Sequence, residues 1–328
     1  MYTNIEDYFN QKILKIIKKY SISSIILAIS GGQDSICLIN LIENLKKKIN
    51  IIYIKIDIEY IYIDHQWQKN SHKQIKHLIN YIKSLKANIA VYQIKNITLS
   101  EKNCREYRYH TIIQHAIKNN SQLIITAHTE TDKVETFLQN IIRGTGLEGI
   151  SSLNLERKLT QNLYILRPLI NISREQIYSI CKQYYLPIWS DVSNNHYNIS
   201  RNRIRHELLP YLINYFNLEI QKNIKSLITY YYYENEYMKK HTIKTYLKCL
   251  NSRYIAINLK LIKKQNFILQ TRIIQIFIFH NFCIYLNKKK LINIIKIINK
   301  SNKKIIFQLK WKFFYINLTN QWLYITMN

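Results

Sequence analysis

Residues 24–36 read Ser-Ile-Ile-Leu-Ala-Ile-Ser-Gly-Gly-Gln-Asp-Ser-Ile. The apolar run from Ile25 to Ile29 predicts a buried parallel strand, and the apolar periodicity that follows Ser35 predicts a helix. The turn between them contains Gly31 and Gly32, where no side chain keeps the backbone away from an anion. Free N–H groups at the start of the helix, together with serine hydroxyls, complete a loop that is suited to bind phosphate.

This loop differs from the Walker A loop, because no Gly-Lys-Ser/Thr follows at the required spacing. The motif Ser-Gly-Gly-x-Asp-Ser instead resembles the pyrophosphate loop of ATP pyrophosphatases, enzymes that cleave ATP to AMP and pyrophosphate while they adenylate a carbonyl oxygen. A Gly-Gly turn in an unrelated α/β protein is the alternative interpretation. The resemblance implies that ATP is bound by Ser30, Gly31, Gly32, Gln33, Asp34 and Ser35.

The sequence beyond the loop predicts an α/β domain. Apolar runs at 51–63, 89–94 and 123–127 alternate with stretches of helical periodicity, a pattern typical of βαβ units with parallel pairing. Ligands of such sheets bind beyond the carboxyl ends of the strands, so the loops after these runs and after Ile29 should converge. The alternation predicts a parallel-sheet domain, followed by a smaller, mostly helical C-terminal domain. The resemblance of the loop implies that the first domain binds nucleotide and is of the adenine nucleotide alpha hydrolase-like type.

The amino-acid composition changes near Pro210, and we take this position as a domain boundary. Residues 1–210 are predicted to form the ATP-pyrophosphatase catalytic domain. Residues 211–328 are rich in tyrosine and lysine with helical periodicity, and their final alternating run predicts a β-hairpin about Thr319-Asn320. Tyrosines among lysines either stack on RNA bases or form the amphipathic edge of a core, so tRNA binding by this domain is one of two interpretations.

The formal net charge of +28 on 328 residues is typical of a protein that binds nucleic acid. Lysine is also abundant for another reason, because the chain is rich in Ile, Asn, Lys and Tyr, a usage typical of an A- and T-rich genome. Arginine is the better indicator, since nine of the eleven arginines lie between Arg105 and Arg205. Arginine is planar and always charged, so its use in a sequence that otherwise favours lysine indicates that this segment binds phosphate groups.

The five cysteines are far apart and form no Cys-x-x-Cys motif. They therefore predict neither a zinc site nor a disulfide framework, and they suit a reducing compartment. No uncharged apolar run is long enough to span a membrane, so we expect no membrane partner. Met1–Asn10 lacks the character of a signal or transit segment, so none is expected.

A second cluster of polar residues follows the last of these strands. His128 comes directly after it, and Asp132 and Glu135, at i and i+3, face one side of the first helical turn if Thr131 is the N-cap. The helix dipole and capping-box chemistry alone also explain acids at this position. The close of the same helix, Arg143-Gly-Thr-Gly, favours a functional role, since the five glycines of the chain lie either here, at positions 144, 146 and 149, or in the phosphate loop.

Three arginines lie close together in the stretch 200–205. Arg201 and Arg205, at i and i+4, can share one helix face, whereas Arg203 cannot join them. A solvated basic helix is one interpretation of this stretch, and binding of phosphate or carboxylate groups is the other.

Four stretches together resemble the tRNA(Ile)-lysidine synthetase family, over about residues 20–215. They are Ser30–Ser35; Glu101 with Arg105, Arg108 and Tyr109; His128-x-x-x-Asp132-x-x-Glu135-Thr136 with Arg143-Gly-x-Gly; and Asp191-x-Ser-Asn with Arg201-Asn-Arg-Ile-Arg205. The resemblance implies that ATP adenylates the position-2 carbonyl oxygen of the wobble cytidine in a tRNA(Ile) with a CAU anticodon. The ε-amine of free L-lysine then displaces AMP and forms lysidine.

The resemblance also implies roles for individual residues. Asp34 is expected to orient Mg²⁺ beside the ATP phosphates. Asp132 and Glu135 are expected to bind the lysine ammonium, and one of them or His128 to accept its proton, since an ammonium cannot attack. The cations expected to bind the lysine carboxylate, the phosphates and the RNA backbone are Arg108, Arg143, Arg201 and Arg205.

Two other functions remain open from the sequence. A tRNA-thiolating enzyme with the same loop typically needs paired cysteines, and no two cysteines are close in this sequence. A non-catalytic RNA-binding protein would not need intact Asp34, Asp132 and Glu135. The A/T-biased composition and the lack of a visible transit segment predict a plastid-encoded protein of the chloroplast stroma, with a bacterial cytoplasm as the alternative.

Overall fold

The computed structural model of the protein describes residues 2–51, 56–64, 66, 71–94, 101–151, 153–189, 200–300, 307–311, 314–319 and 321–327. The chain forms two compact units, Met1–Thr229 and Tyr230–Asn328. The division falls within one long helix, Ile220–Cys249. The boundary predicted near Pro210 therefore lies inside the first unit.

The first unit contains a six-stranded sheet. Its strands are β1 Ser24–Ile29, β2 Asp57–Asp64, β3 Asn88–Gln93, β4 Leu123–Thr126, β5 Glu156–Lys158 and β6 Tyr164–Leu166. They are ordered β3-β2-β1-β4-β6-β5; the first five in this order pair in parallel, and β5 at the edge pairs antiparallel with β6. The predicted parallel-sheet fold class is confirmed.

Helices cover both faces of this sheet. The helices of this unit are α1 Tyr2–Tyr20, α2 Gln33–Ile51, α3 Ser71–Ser84, α4 Glu101–Lys118, α5 Glu130–Ile142, α6 Leu147–Ile150, α7 Arg174–Gln183, α8 Ser200–Arg203, α9 Leu209–Tyr215 and α10 Ile220–Cys249, which continues into the second unit. Successive strand residues point to opposite faces: Leu27 packs with apolar residues of α1, α2, α3 and α7, and Ile26 packs with those of α4. Each such buried side chain stabilises the fold by about 1.5–3 kcal/mol.

The prediction of one strand over 51–63 is wrong. Helix α2 continues to Ile51, and β2 begins only at Asp57. Lysine is a good helix former, so the run Lys46–Lys48 does not end the helix, and the buried side chains of Leu41 and Leu45 keep its apolar face against the core. Because no glycine or proline lies in this stretch, composition does not mark where the helix ends.

The second unit combines helices with a four-stranded antiparallel sheet. Beyond α10 it contains β7 Ala256–Asn258, α11 Leu259–Lys263, α12 Phe267–Phe282, α13 Lys288–Lys300, β8 Phe307–Trp311, β9 Phe314–Leu318 and β10 Trp322–Met327. The strand order is β7-β10-β9-β8, and β9 pairs with β10 on either side of the turn that the sequence predicts. Strand β7 was not predicted from the sequence, because three residues are too few to show an alternating pattern. Across the described part of the chain, no helix has the length and apolar character needed to cross a membrane.

Candidate active site

The phosphate-binding loop connects β1 to α2 in a conformation that depends on glycine. Gly31 has a φ of +77°, in the left-handed region that other residues adopt only at a cost. The Ser35 hydroxyl is buried and accepts a hydrogen bond from the Ser30 backbone N–H at 2.9 Å. Ser35 therefore holds the loop closed from within, while Ser30 is exposed at its mouth.

Gln74 on α3 supports the loop from behind. Its side chain is buried, and its Nε2 donates a hydrogen bond to the Ser30 carbonyl oxygen at 3.1 Å. A Cβ on Gly31 would lie 3.3 Å from the same nitrogen, so the Gln74 side chain would have to shift slightly to admit one. Gln74 was not among the site residues predicted from the sequence. The available signal is its place on the stripe of α3 that Leu78 and Ile82 continue at four-residue steps, where an apolar residue is the norm.

Asp34 lies in the first turn of α2 with its side chain only 21% exposed. Burial raises the pKa of its carboxyl to about 6, the charge of Arg174 opposes this rise, and Asp132 and Glu135 add to it. The nearest cation is Arg174, whose Nη2 is 3.9 Å from Asp34 Oδ2, too far for a hydrogen bond. Asp34 is therefore a buried acid whose charge is only partly compensated.

Helix α5 begins two residues earlier than the cap assignment predicts. Its N-cap is Thr129 rather than Thr131, and Asp132 is the third residue of the helix. Asp132 Oδ2 accepts from the Thr129 N–H at 2.8 Å and from the Thr129 hydroxyl at 3.1 Å. The capping-box interpretation of Asp132 is thus correct for one of its oxygens, while its second oxygen, Oδ1, points to Arg201.

Two arginines from α8 and the turn after it bind both acids of α5. Arg201 Nη2 donates to Asp132 Oδ1 at 2.6 Å, and Arg201 Nε donates to Glu135 Oε2 at 2.7 Å. Arg205 donates to the two oxygens of Glu135 from Nε at 2.5 Å and from Nη2 at 3.0 Å. Arg203 points away and pairs with Glu207 on the exposed side. The two carboxylates of Asp132 and Glu135 and the two guanidinium groups of Arg201 and Arg205 therefore form one network with no net charge.

A turn of π-helix, Ile204–Leu208, separates α8 from α9 and carries Arg205. Such turns widen a helix locally and occur frequently at functional sites. Arg201 on α8 and Arg205 on the π-helical turn lie four residues apart, and both guanidinium groups donate hydrogen bonds to the Glu135 carboxylate.

His128 follows β4 at the same edge of the sheet. Its Nδ1 is 2.8 Å from the Thr126 hydroxyl. Burial lowers the pKa of His128 to about 3; Asp132 opposes this effect, and Arg167 and Arg201 strengthen it. His128 is therefore a neutral imidazole at physiological pH. Among the described residues, its Nε2 makes no hydrogen bond, which distinguishes it from the two acids of α5.

The remaining predicted cations lie in different places. Arg108 is exposed on α4, and the charge of Arg201 acts on it, so it belongs to the same neighbourhood. Arg143 is the C-cap of α5, about 16 Å along the helix from Asp132 at 1.5 Å per residue, and the structure does not bring it to the acids. The predicted polar loop that begins at Asp191 lies outside the described residues.

The site suits a magnesium ion that is bound mainly through phosphate. In the described ranges, no three His, Cys, Asp or Glu side chains are arranged to hold a metal. Mg²⁺ commonly binds through one or two carboxylates plus substrate phosphates, and the partly compensated acid Asp34 beside the loop fits that need.

Loop, parallel sheet and converging polar residues define a class of protein. Residues 5–212 match the family model described as PP-loop domain, so the chain is an ATP-binding PP-loop protein. Among solved structures, the U34-tRNA thiolase NcsA from Methanococcus maripaludis with its 4Fe-4S cluster matches with a TM-score of 0.51 at 12% identity. The matched region covers 68% of this chain and 80% of the thiolase chain. This similarity concerns the fold alone.

Two relatives define the particular family. A protein of Gracilaria tenuistipitata var. liui named tRNA(Ile)-lysidine synthase, chloroplastic, is 46% identical over 326 residues, which are 97% of this chain and 98% of the relative. A protein of the same name from Pyropia yezoensis is 32% identical over 326 residues, 97% and 95% of the two chains. The chain therefore belongs to the tRNA(Ile)-lysidine synthases and is an enzyme, and the thiolating and non-catalytic alternatives are not favoured.

Proposed function

We propose that the protein joins free L-lysine to carbon 2 of the wobble cytidine of a tRNA(Ile) with a CAU anticodon, using ATP. The observation that carries this proposal is the convergence of the loop acid Asp34 with the acids and arginines of α5 and α8. This convergence joins a triphosphate site to a site for a charged amino acid. The names of the relatives support the tRNA, and the PP-loop supports ATP.

In the first step, the position-2 carbonyl oxygen of cytosine attacks the α-phosphorus of ATP. A phosphorus–oxygen bond forms, the bond to the β-phosphate breaks, and pyrophosphate leaves. The backbone N–H groups between Ser30 and Gln33 would hold the phosphates, and Asp34 would hold Mg²⁺, which offsets the charge of the leaving group. Adenylation is needed because the carbonyl oxygen of a pyrimidine is otherwise a poor leaving group.

In the second step, the ε-amine of lysine attacks carbon 2, and AMP leaves with the former carbonyl oxygen. Glu135 is fully buried and bound by two arginines, so we assign the ammonium to Asp132, whose side chain is 13% exposed. Glu135 then serves to hold Arg201 and Arg205 in position. The sequence alone suggested that Asp132 and Glu135 both bind the ammonium, whereas this proposal gives that role to Asp132.

The proton of the ammonium must be accepted before the amine attacks. We assign this role to His128, because both acids of α5 are occupied by hydrogen-bond donors and His128 Nε2 is not. Burial, together with the charges of Arg167 and Arg201, lowers the pKa of His128 to about 3. The negative phosphates of ATP would raise it, since an anion close to imidazole favours the protonated form.

Location follows from the relatives rather than from the site. Both relatives above carry the word chloroplastic in their names, so we place this protein in a plastid and propose the stroma as its compartment. Arg143, exposed at the far end of α5, remains a proposed contact for the RNA backbone.

The test uses radiolabelled lysine, ATP and two transcripts of tRNA(Ile) that differ only in the anticodon, CAU or GAU. Label should enter the CAU transcript with release of AMP and pyrophosphate, and the GAU transcript should stay unlabelled. Asp34→Asn should abolish pyrophosphate release while tRNA retention on a filter stays within about tenfold. Equal labelling of both transcripts, or full activity of Asp34→Asn, would rule the proposal out.

A further inference from the structure

Arg174 is a cation beside the phosphate-binding loop that neither the fold nor the acid network explains. It is the first residue of α7, where Ser173 is the N-cap and forms a capping box with Gln176. Its side chain is 42% exposed, and the contact that the structure shows for it is the 3.9 Å approach to Asp34. At this distance the contact is electrostatic, so within the described residues the N–H groups of the guanidinium remain available to another ligand.

The position of Arg174 is rigid although its side chain is open. Ile177, Ile180 and Cys181 of α7 are buried in the same apolar core as α2. Cys181 Sγ lies 3.7 Å from the Gln33 carbonyl oxygen and donates to it, so α7 is fastened directly to the loop. The start of α7 therefore cannot drift away from the loop without breaking this packing.

The balance of charge indicates what Arg174 binds. Of the arginines that act on Asp34, Arg205 is committed to Glu135, whereas Arg174 makes no hydrogen bond to any carboxylate in the described part of the chain. ATP brings about four negative charges, and neutral backbone N–H groups alone do not balance them. The planar guanidinium of Arg174, next to the loop, can donate two hydrogen bonds to two oxygens of one phosphate.

We propose that Arg174 binds the pyrophosphate portion of ATP, moving from Asp34 to the β- or γ-phosphate when the nucleotide enters. In the nucleotide-free protein its charge partly compensates Asp34; on binding, the phosphate takes the guanidinium, and Asp34 is released for the cation that accompanies ATP. Arg174 is thus a substrate-binding residue of the first step, and this inference rests on the proposed function.

The test compares two halves of the nucleotide. Affinities of Arg174→Ala, Arg174→Lys and the unchanged enzyme are measured by calorimetry for α,β-methylene-ATP, for inorganic pyrophosphate and for AMP. Arg174→Ala should bind the ATP analogue and pyrophosphate about 10–100-fold more weakly, the range for a lost charged hydrogen bond. AMP affinity should stay within about twofold, since AMP lacks the groups that Arg174 binds. Arg174→Lys should fall between the two.

Arg157→Ala is the matched control, because Arg157 is an exposed arginine of the same unit on the edge strand β5. It should leave all three affinities unchanged. Equal losses for AMP and pyrophosphate would show that Arg174 only supports the loop, and unchanged analogue binding would show that it touches no phosphate; either result overturns the inference. If the unchanged enzyme labels the CAU transcript while this test fails, only the inference is wrong. If it binds no ATP analogue, the proposed function itself fails.

Discussion

Glu135 and Arg205 are joined by two hydrogen bonds although they lie 70 positions apart in the chain. The carboxylate is completely buried, and both of its oxygens are occupied by arginine N–H groups. A buried carboxylate is stable only where such partners surround it. This ion pair fastens the α8 segment to α5 and sets the position of Asp132 next to it.

Glu135→Gln should destabilise the first unit. The change removes a fully buried negative charge that two arginines bind, and breaking a buried pair by removing one partner costs about 3–5 kcal/mol. Glu207→Gln is the control, because Glu207 pairs with Arg203 at the surface, where a pair contributes about 0–1 kcal/mol. Urea unfolding of both variants checks this; similar midpoints for the two would contradict the importance of the buried network.

The stability of the folded protein should depend on pH through His128. Its pKa is about 3 in the folded protein against an ordinary value of 6.5. Between these values the unfolded chain binds a proton at this position and the folded chain does not, so acid favours unfolding. The stabilisation is complete above the unfolded pKa and should fall by about 2 kcal/mol as the pH drops to about 5.

His128→Asn removes this titration and keeps a polar side chain next to Thr126. Melting temperatures of the two proteins are compared at about pH 7.5 and about pH 5, so that other titrating groups cancel in the difference. The original protein should lose more stability than the variant over this interval. Parallel losses would mean that His128 titrates normally in the folded state.

Gly31→Ala should impair nucleotide binding. A φ of +77° costs a residue with a Cβ about 1–2 kcal/mol, and the new atom would crowd Gln74. The loop should therefore relax away from its binding conformation, and affinity for α,β-methylene-ATP should fall by about tenfold or more.

Gly146→Ala provides the comparison for this change. Gly146 has a negative φ, and no atom lies within 4 Å of the place where its Cβ would be. Its effect on ATP-analogue affinity should be less than about twofold. An equal loss in both variants would indicate that glycine at 31 is not required by the geometry of the loop.

Thiol labelling should be selective in the native protein. Cys283 is exposed, while Cys37, Cys104, Cys181 and Cys249 are buried. A hydrogen bond to Cys181, together with burial, raises the pKa of the Cys37 thiol and makes it a poor nucleophile. Iodoacetamide followed by mass spectrometry should modify Cys283 first, and the other four only after unfolding. Rapid native modification of Cys37 would contradict the packing of α2 against α7.

Structure that depends on neighbours along the chain could be predicted from the sequence. The loop between Ile29 and Ser35 and the alternation of strands and helices are local patterns, and both appear in the structure. Prediction was least reliable at boundaries without glycine or proline. The end of α2 and the cap of α5 were misplaced for that reason.

The sequence by itself determined the parallel α/β sheet and the bare phosphate loop, because apolar periodicity and paired glycines act over a few residues. Only the tertiary structure decided that Arg201 and Arg205 bind the acids of α5, that Gln74 supports the loop, and that Arg174 lies beside Asp34. These contacts join segments that are distant in the chain. The free energy of such a contact depends on burial and on the atoms that surround it, and neither is written in the local order of residues.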